Sequence, residues 1–142
     1  MEFHKILVPV AGTEADEEVM ELAYRLLAAK NKGRICAVYV ISMERALPLD
    51  AEIDSEINKA EDILTHIEDS AGEQGYRIET DLLQAREIGP AIVNEAAERE
   101  VDLILIGVTY KRRFGEFSLG DVIPYVLKKA PCCVILYQQY SL

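Results

Sequence analysis

The chain has 142 residues, of which half are apolar and 28% are charged. This is the size of one domain with a sizeable core, so we expect a single domain over residues 1–142 and exclude a disordered or fibrous chain. Its 25 acidic and 15 basic residues give a net charge of −10, which would repel nucleic acids and anionic membrane surfaces.

In the first part of the chain, short continuous apolar runs alternate with segments whose apolar residues recur about one helical turn apart. A continuous β-branched run predicts a buried strand over Ile6–Val10, and Ala11–Thr13 forms the turn that follows. Apolar residues at helical spacing then predict a helix whose acidic first turn complements the helix dipole and which stops at Gly33. A second buried strand is predicted over Ile35–Ile41, and residues 43–50 read as a loop.

The rest of the chain continues this alternation. The predicted elements are a helix over about Ala51–Glu73, a half-exposed edge strand over Tyr76–Leu82, a helix opening at Gly89-Pro90, a buried strand over Val101–Ile106 ended by Gly107, a basic loop over 108–119, a helix over Asp121–Lys129 and a strand over Cys132–Tyr137. Strands that are apolar on both faces and alternate with helices require a parallel sheet covered on both sides.

The order of these elements predicts an α/β fold. With right-handed crossovers, the favoured arrangement is a three-layer, doubly wound, five-stranded parallel sheet in the order 3-2-1-4-5 with four main helices. Ligands of such sheets bind at the switch point, here between strands 1 and 4. We therefore expect a crevice lined by Val10–Thr13 on one side and by Gly107 with its basic loop on the other.

The few cysteines and histidines limit the chemistry. Three cysteines, Cys36 and the adjacent Cys132 and Cys133, do not make a disulfide framework, so a reducing cytoplasm is expected. With two histidines and no Cys-x-x-Cys, we expect no metal site of the zinc type. The chain start lacks the features of a signal peptide, and no run approaches the ~20 apolar residues that span a bilayer.

Several segments together resemble the universal stress protein family, and this resemblance covers essentially the whole chain. The segments are Lys5–Glu14, Gly89–Val93, Ala96-Ala97, Val101–Gly107, Leu119–Val122 and Val126–Leu136. The resemblance implies the adenine nucleotide alpha hydrolase-like fold and a stress-response role. In that family, members that bind ATP carry a glycine motif after strand 4, because glycines let backbone N–H groups approach the phosphates.

The chain departs from that motif at three positions. Gly107 and Gly120 match its first and last glycines, but Tyr110 stands at the second glycine and Asp121 at the closing Ser or Thr. The family's strand-1 Asp falls on Ala11. A carboxylate at position 121 would repel phosphate unless a metal lay between them, whereas as a structural residue Asp121 is a good helix N-cap.

The basic triplet Lys111–Arg113 offers a compensating charge in an acidic chain. Arg112 or Arg113 could hold a phosphate through two-point contacts, or the triplet could be a solvated loop. The loop continues as Phe-Gly-Glu, which resembles universal-stress-type domains that accompany membrane transporters.

Strand 5 is an apolar strand at the sheet edge, and exposed apolar edges are covered or paired in native proteins. In universal stress proteins the corresponding strand pairs across a two-fold axis. The resemblance therefore implies a homodimer through strand 5, whose dimer residues would be Cys133, Val134, Ile135, Leu136 and Tyr137.

Two functional hypotheses follow. The first is a cytoplasmic dimeric sensor that binds AMP or ATP, with Mg²⁺ only if ATP binds. Its candidate nucleotide-binding residues are Val10, Ala11, Gly12, Thr13, Val40, Gly107, Arg112, Arg113, Gly120 and Asp121. The second is a dimeric module that binds no nucleotide and acts through an unknown protein partner.

No catalytic residues are predicted for this chain. His4 and His66 are expected to be surface or packing residues far from the crevice, and neither a nucleophile elbow nor a Walker-type phosphate loop occurs. Slow nucleotide hydrolysis is the one enzymatic activity that this leaves open.

Overall fold

The computed structural model describes residues 2–28, 32–108 and 121–138. Strands and helices alternate along these residues. They are β1 Lys5–Pro9, α1 Ala15–Leu26, β2 Arg34–Ser42, α2 Asp54–Glu73, β3 Glu79–Ala85, α3 Ile88–Glu98, β4 Leu103–Val108, α4 Val122–Lys129 and β5 Cys133–Gln138. The strands form one sheet in the order β3-β2-β1-β4-β5, and every pairing is parallel, which confirms the predicted fold class and strand order.

The sheet is covered on both faces. On β1, Ile6 and Val8 pack into the cluster that contains α1 and α2, whereas Leu7 between them packs into the cluster that contains α3 and α4. Successive side chains of a strand point to opposite faces, so a strand buried on both sides must be apolar at every position. This requirement explains why the central strands read as continuous apolar runs.

β1 stays paired with β2 along its whole length but separates early from β4. It pairs with β2 up to Pro9, whereas its pairing with β4 is confined to Ile6 and Leu7. The Val10 N–H donates to Val38 O of β2, and backbone N–H groups alternate between the two sides of a strand. Position 9 would therefore donate toward β4, and proline has no N–H to do so. Pro9 thus opens the gap between β1 and β4.

Several predicted boundaries differ from the structure, among them one each at α1, β3 and β4. α1 ends at Leu26, short of the predicted stop at Gly33, because the following residues turn back and hydrogen-bond to Phe3. β3 begins at Glu79 rather than Tyr76, because Tyr76 instead stacks on Tyr24 of α1, with ring centroids 4.3 Å apart.

The third difference is at β4, which spans Leu103–Val108, so Gly107 lies inside the strand rather than ending it.

Among residues 2–28, 32–108 and 121–138, no helix has the length and apolar character to cross a membrane.

The loop between β2 and α2 is fixed by one side chain of β3. Gln84 Nε2 donates hydrogen bonds to Leu49 O at 3.0 Å and to Ala51 O at 2.8 Å. The predicted loop over 43–50 is therefore confirmed, and it is held at the carboxyl end of the sheet by a polar residue whose role the alternating pattern of β3 did not reveal.

Candidate functional site

A crevice of about 310 Å³ opens where β1 and β4 separate, at the carboxyl ends of the strands. Its described lining is mostly apolar. The lining residues are Pro9, Val10, Ala11, Thr13, Asp16, Val38, Tyr39, Val40, Ile88, Ile92, Ile106, Gly107, Val108, Val122 and Ile123. The crevice thus lies at the switch point of the sheet, where ligands of doubly wound folds bind.

Five of the predicted nucleotide-binding residues line this crevice: Val10, Ala11, Thr13, Val40 and Gly107. They come from the ends of β1, β2 and β4, which the parallel order brings side by side. The structure therefore places these residues together, as the topology predicted from the sequence requires.

The remaining predicted residues divide into two groups. Gly12 lines an adjoining cavity, and Asp121 is exposed at the N-cap position of α4, where its side chain makes no capping hydrogen bond with the described residues. Arg112, Arg113 and Gly120 lie outside the described residues.

The β1–α1 loop wraps its backbone N–H groups around the carboxylate of Asp16. Gly12 N–H donates to Asp16 Oδ2 at 2.7 Å, and Ala11 N–H donates to Asp16 Oδ1 at 3.3 Å. Gly12 has a φ of +77°, a left-handed conformation that side chains rarely adopt. Successive N–H groups that converge in this way form a concave anion-binding nest, and here the anion is the chain's own carboxylate.

Asp16 is half-buried, unlike the neighbouring Glu14, Glu17 and Glu18, which are exposed. Burial raises the pKa of the Asp16 carboxyl, and hydrogen bonds from the backbone N–H groups of Ala11, Gly12 and Thr13 act in the opposite direction. Among the described residues that line the crevice, Asp16 alone has a charged side chain.

Gly107 has a packing reason to be glycine. A Cβ at this position would lie 2.5 Å from Val19 Cγ2 and 3.3 Å from Ala15 Cβ, both on α1. The absent side chain therefore lets α1 lie close against β4. The same close approach brings the first turn of α1, and with it Asp16, to the crevice.

A second cavity of about 550 Å³ lies between α1 and α2 and shares Thr13 and Asp16 with the crevice. Its wall is acidic and carries one histidine, His66, whose Nε2 lies 2.8 Å from Glu17 Oε1. The hydrogen bond with Glu17 raises the pKa of His66. His66 is exposed, one of the two settings predicted for it, but it borders a cavity that adjoins the crevice rather than lying far from it.

The strand β5 pairs with β4 and, among the described residues, has no strand on its other side. Cys133 and Leu136 are exposed on it, whereas Val134, Ile135 and Tyr137 are partly covered by the two core clusters. The Tyr137 hydroxyl donates a hydrogen bond to Glu18 of α1. The edge predicted to pair with a second copy is therefore open within the described residues.

Sequence reasoning missed Asp16 as a site residue. From the sequence, the acidic first turn of α1 has one assigned role, to complement the helix dipole. That role does not distinguish Asp16 from the three glutamates beside it. The distinguishing signal is its spacing: Asp16 lies four residues after Gly12, so a left-handed glycine can turn its N–H back to the carboxylate.

Within the described residues, no group of three His, Cys, Asp or Glu side chains could hold a metal ion.

Comparisons with known proteins identify the family. The Universal stress protein family model matches residues 2–138. A universal stress protein of Methanocaldococcus jannaschii is 29% identical over 96% of this chain and 83% of its own length.

Solved structures agree with the match. A universal stress protein from Archaeoglobus fulgidus has a TM-score of 0.75 at 25% identity, covering 94% of this chain and 97% of its own. A structure of the universal stress protein from the same organism in complex with dAMP has a TM-score of 0.71 at 24% identity, over 96% of this chain and 98% of its own. The chain belongs to the universal stress protein family.

Proposed function

We propose that this chain is a cytoplasmic stress-response protein that binds an adenine nucleotide in the crevice between β1 and β4. The observation that carries the proposal is the position of the crevice at the switch point of the sheet, between strands that Pro9 separates. Its volume of about 310 Å³ is near the lower end of the range of small-molecule sites.

The apolar side chains of the described lining suit the flat faces of a purine base. Val40 at the end of β2 and Ile106 and Val108 of β4 line the crevice, and its described residues include no lysine or arginine. A purine would bury its faces against such side chains and would take its polar contacts from backbone groups at the strand ends. The base is thus the part of a nucleotide that these residues fit.

The complexes of related proteins support the same ligand class. Structures with this fold include a universal stress protein from Archaeoglobus fulgidus with dAMP, one from Arabidopsis thaliana with AMP and a third with cAMP. All three ligands are adenine nucleotides with a single phosphate. We propose AMP as the ligand of this chain, with the phosphate held by Arg112 or Arg113; ATP would bring Mg²⁺ with it.

We propose a binding role rather than a catalytic one. The described crevice lining has no histidine, cysteine, serine or lysine, and its one carboxylate, Asp16, already accepts hydrogen bonds from the backbone N–H groups of Ala11 and Gly12. His4 and His66 are both exposed and do not line it.

We also propose that two copies pair through β5. The open edge and the exposed Leu136 support this pairing, because unpaired apolar edges favour strand addition. Leu136→Lys should weaken self-association in sedimentation equilibrium, and Leu127→Lys, which changes another exposed leucine on α4, is the control. A monomeric wild-type chain at high concentration would contradict the pairing.

Calorimetric titration with AMP and ATP, with and without Mg²⁺, tests the nucleotide proposal. We expect AMP binding that Val40→Phe abolishes, because the larger side chain fills the crevice. Val93→Phe makes the same change on α3, outside the crevice, and is the control. If neither nucleotide binds the wild-type chain, the proposal is wrong, and the alternative of a module that acts through protein partners takes its place.

A further inference from the structure

The nest formed by the β1–α1 loop is already filled by an anion. Both carboxylate oxygens of Asp16 accept backbone N–H groups, at 2.7 Å from Gly12 and 3.3 Å from Ala11. A loop of this conformation would otherwise offer those N–H groups to a phosphate oxygen. A phosphate can therefore reach these donors only by displacing a carboxylate that the chain itself supplies.

The acidic side chains around Asp16 also repel a phosphate. The cavity that adjoins the crevice at Thr13 and Asp16 is also lined by Glu14, Glu17 and Asp62. A polyphosphate that extended from the crevice past the β1–α1 loop would approach four carboxylates. His66, the histidine on this wall, is hydrogen-bonded to Glu17.

We propose that Asp16 is a specificity-determining residue that excludes triphosphates from the crevice and so selects adenosine or AMP over ATP. The inference rests on the proposed function, since it concerns the ligand of the same site. Its physical basis is that like charges in close contact cost binding energy without a compensating partner. The base and ribose carry no charge and avoid this cost, and the single phosphate of AMP bears less negative charge than the triphosphate of ATP, so the cost is larger for ATP.

The test is calorimetry of the full chain with adenosine, AMP and ATP in buffer with EDTA. The wild-type chain should bind AMP at least about tenfold more tightly than ATP, because like charges brought into contact disfavour the triphosphate. Asp16→Asn removes the charge and keeps an acceptor for Gly12 N–H, and it should reduce that ratio to within about threefold. Glu21→Gln removes an exposed charge farther along α1, outside both the crevice and the adjoining cavity, and should leave the ratio nearly as it is in the wild type.

Asp16→Ser is a second neutral variant, in case the asparagine disturbs the loop, and circular dichroism verifies that each variant is folded. If AMP binds but both neutral variants keep the wild-type ratio of ATP to AMP affinity, Asp16 does not set the specificity, although the nucleotide proposal stands. Wild-type binding of ATP as tight as that of AMP would also overturn the inference. If no ligand binds the wild type or any variant, the proposed function fails and this inference fails with it.

Discussion

Gly107 of β4 lies so close to Val19 of α1 that a Cβ on the glycine would be 2.5 Å from Val19 Cγ2. This contact gives the first glycine of the family's nucleotide motif a structural role that is independent of any ligand. Val19 is buried and belongs to the core cluster, so it has little freedom to move away.

Gly107→Ala should therefore lower the free energy of unfolding by about 1–3 kcal/mol through overpacking. Urea denaturation measures this loss. Adding Val19→Ala makes room for the new methyl group, so the double variant should be more stable than the sum of the two single effects predicts. Strict additivity would show that the contact is not what requires glycine here.

Arg99 joins three carboxylates on β3 and α3. It donates to Glu95 and Glu79 at 2.7 Å each and to Asp81 at 3.4 Å. Glu95 is 8% exposed, and among the described polar residues it is the one classed as buried. Arg99→Met should destabilise the fold by about 2 kcal/mol, because it leaves a buried carboxylate without its cation.

The matched control for that variant is Arg34→Met. Arg34 lies 3.7 Å from Glu79 but its side chain is 74% exposed, so this pair should contribute less than about 0.5 kcal/mol. Thermal and urea unfolding of the two variants compare the buried network with the exposed pair. Equal losses of stability would contradict the role assigned to burial.

The pair of His66 and Glu17 makes one contact between α1 and α2 dependent on pH. The pKa of His66 is raised from 6.5 by its hydrogen bond with Glu17. A raised folded pKa means that the contribution to stability is complete below the unfolded pKa and is lost as the pH rises through the folded pKa. In NMR titration, Glu17→Gln should lower the pKa of His66, whereas Glu14→Gln, an exposed neighbour on the same turn, should change it less. The NMR signals of His66 are simple to assign because the chain has two histidines. An unchanged pKa in Glu17→Gln would show that the hydrogen bond does not form in solution.

Arg112 and Arg113 of the basic triplet are the residues that we propose to hold the phosphate of AMP. Replacing both Arg112 and Arg113 with alanine should abolish AMP binding and leave the dimer intact, because their guanidinium groups are the expected phosphate donors. Lys128 and Lys129 in the last turn of α4 are an equal pair of cations away from the crevice, and their double alanine variant is the control. Calorimetry and sedimentation equilibrium report the two properties separately; AMP affinity equal to that of the wild type would contradict the role of the arginines.

Much of the fold could be predicted because it depends on patterns that extend over whole elements. The continuous apolar runs of the central strands predicted a parallel sheet covered on both faces, and the handedness of crossovers reduced the strand order to the one observed. Boundaries were less accurate where a tertiary contact overrides the local pattern. Tyr76 alternates as a strand residue would, yet stacking on Tyr24 holds it outside β3.

By itself, the sequence determined the fold class, the position of the crevice and which strand ends border it, because periodicity and connection rules act along the chain. Only the tertiary structure decided which side chains meet there. Asp16 is one of several acids in a single turn, and its distinction comes from the fold: the left-handed Gly12 and the close packing of α1 on Gly107 bring this carboxylate, and not its neighbours, to the backbone N–H groups at the crevice. The spacing of Gly12 and Asp16 is local, but the approach of α1 to β4 that brings this turn to the crevice depends on distances between elements, which no local pattern encodes.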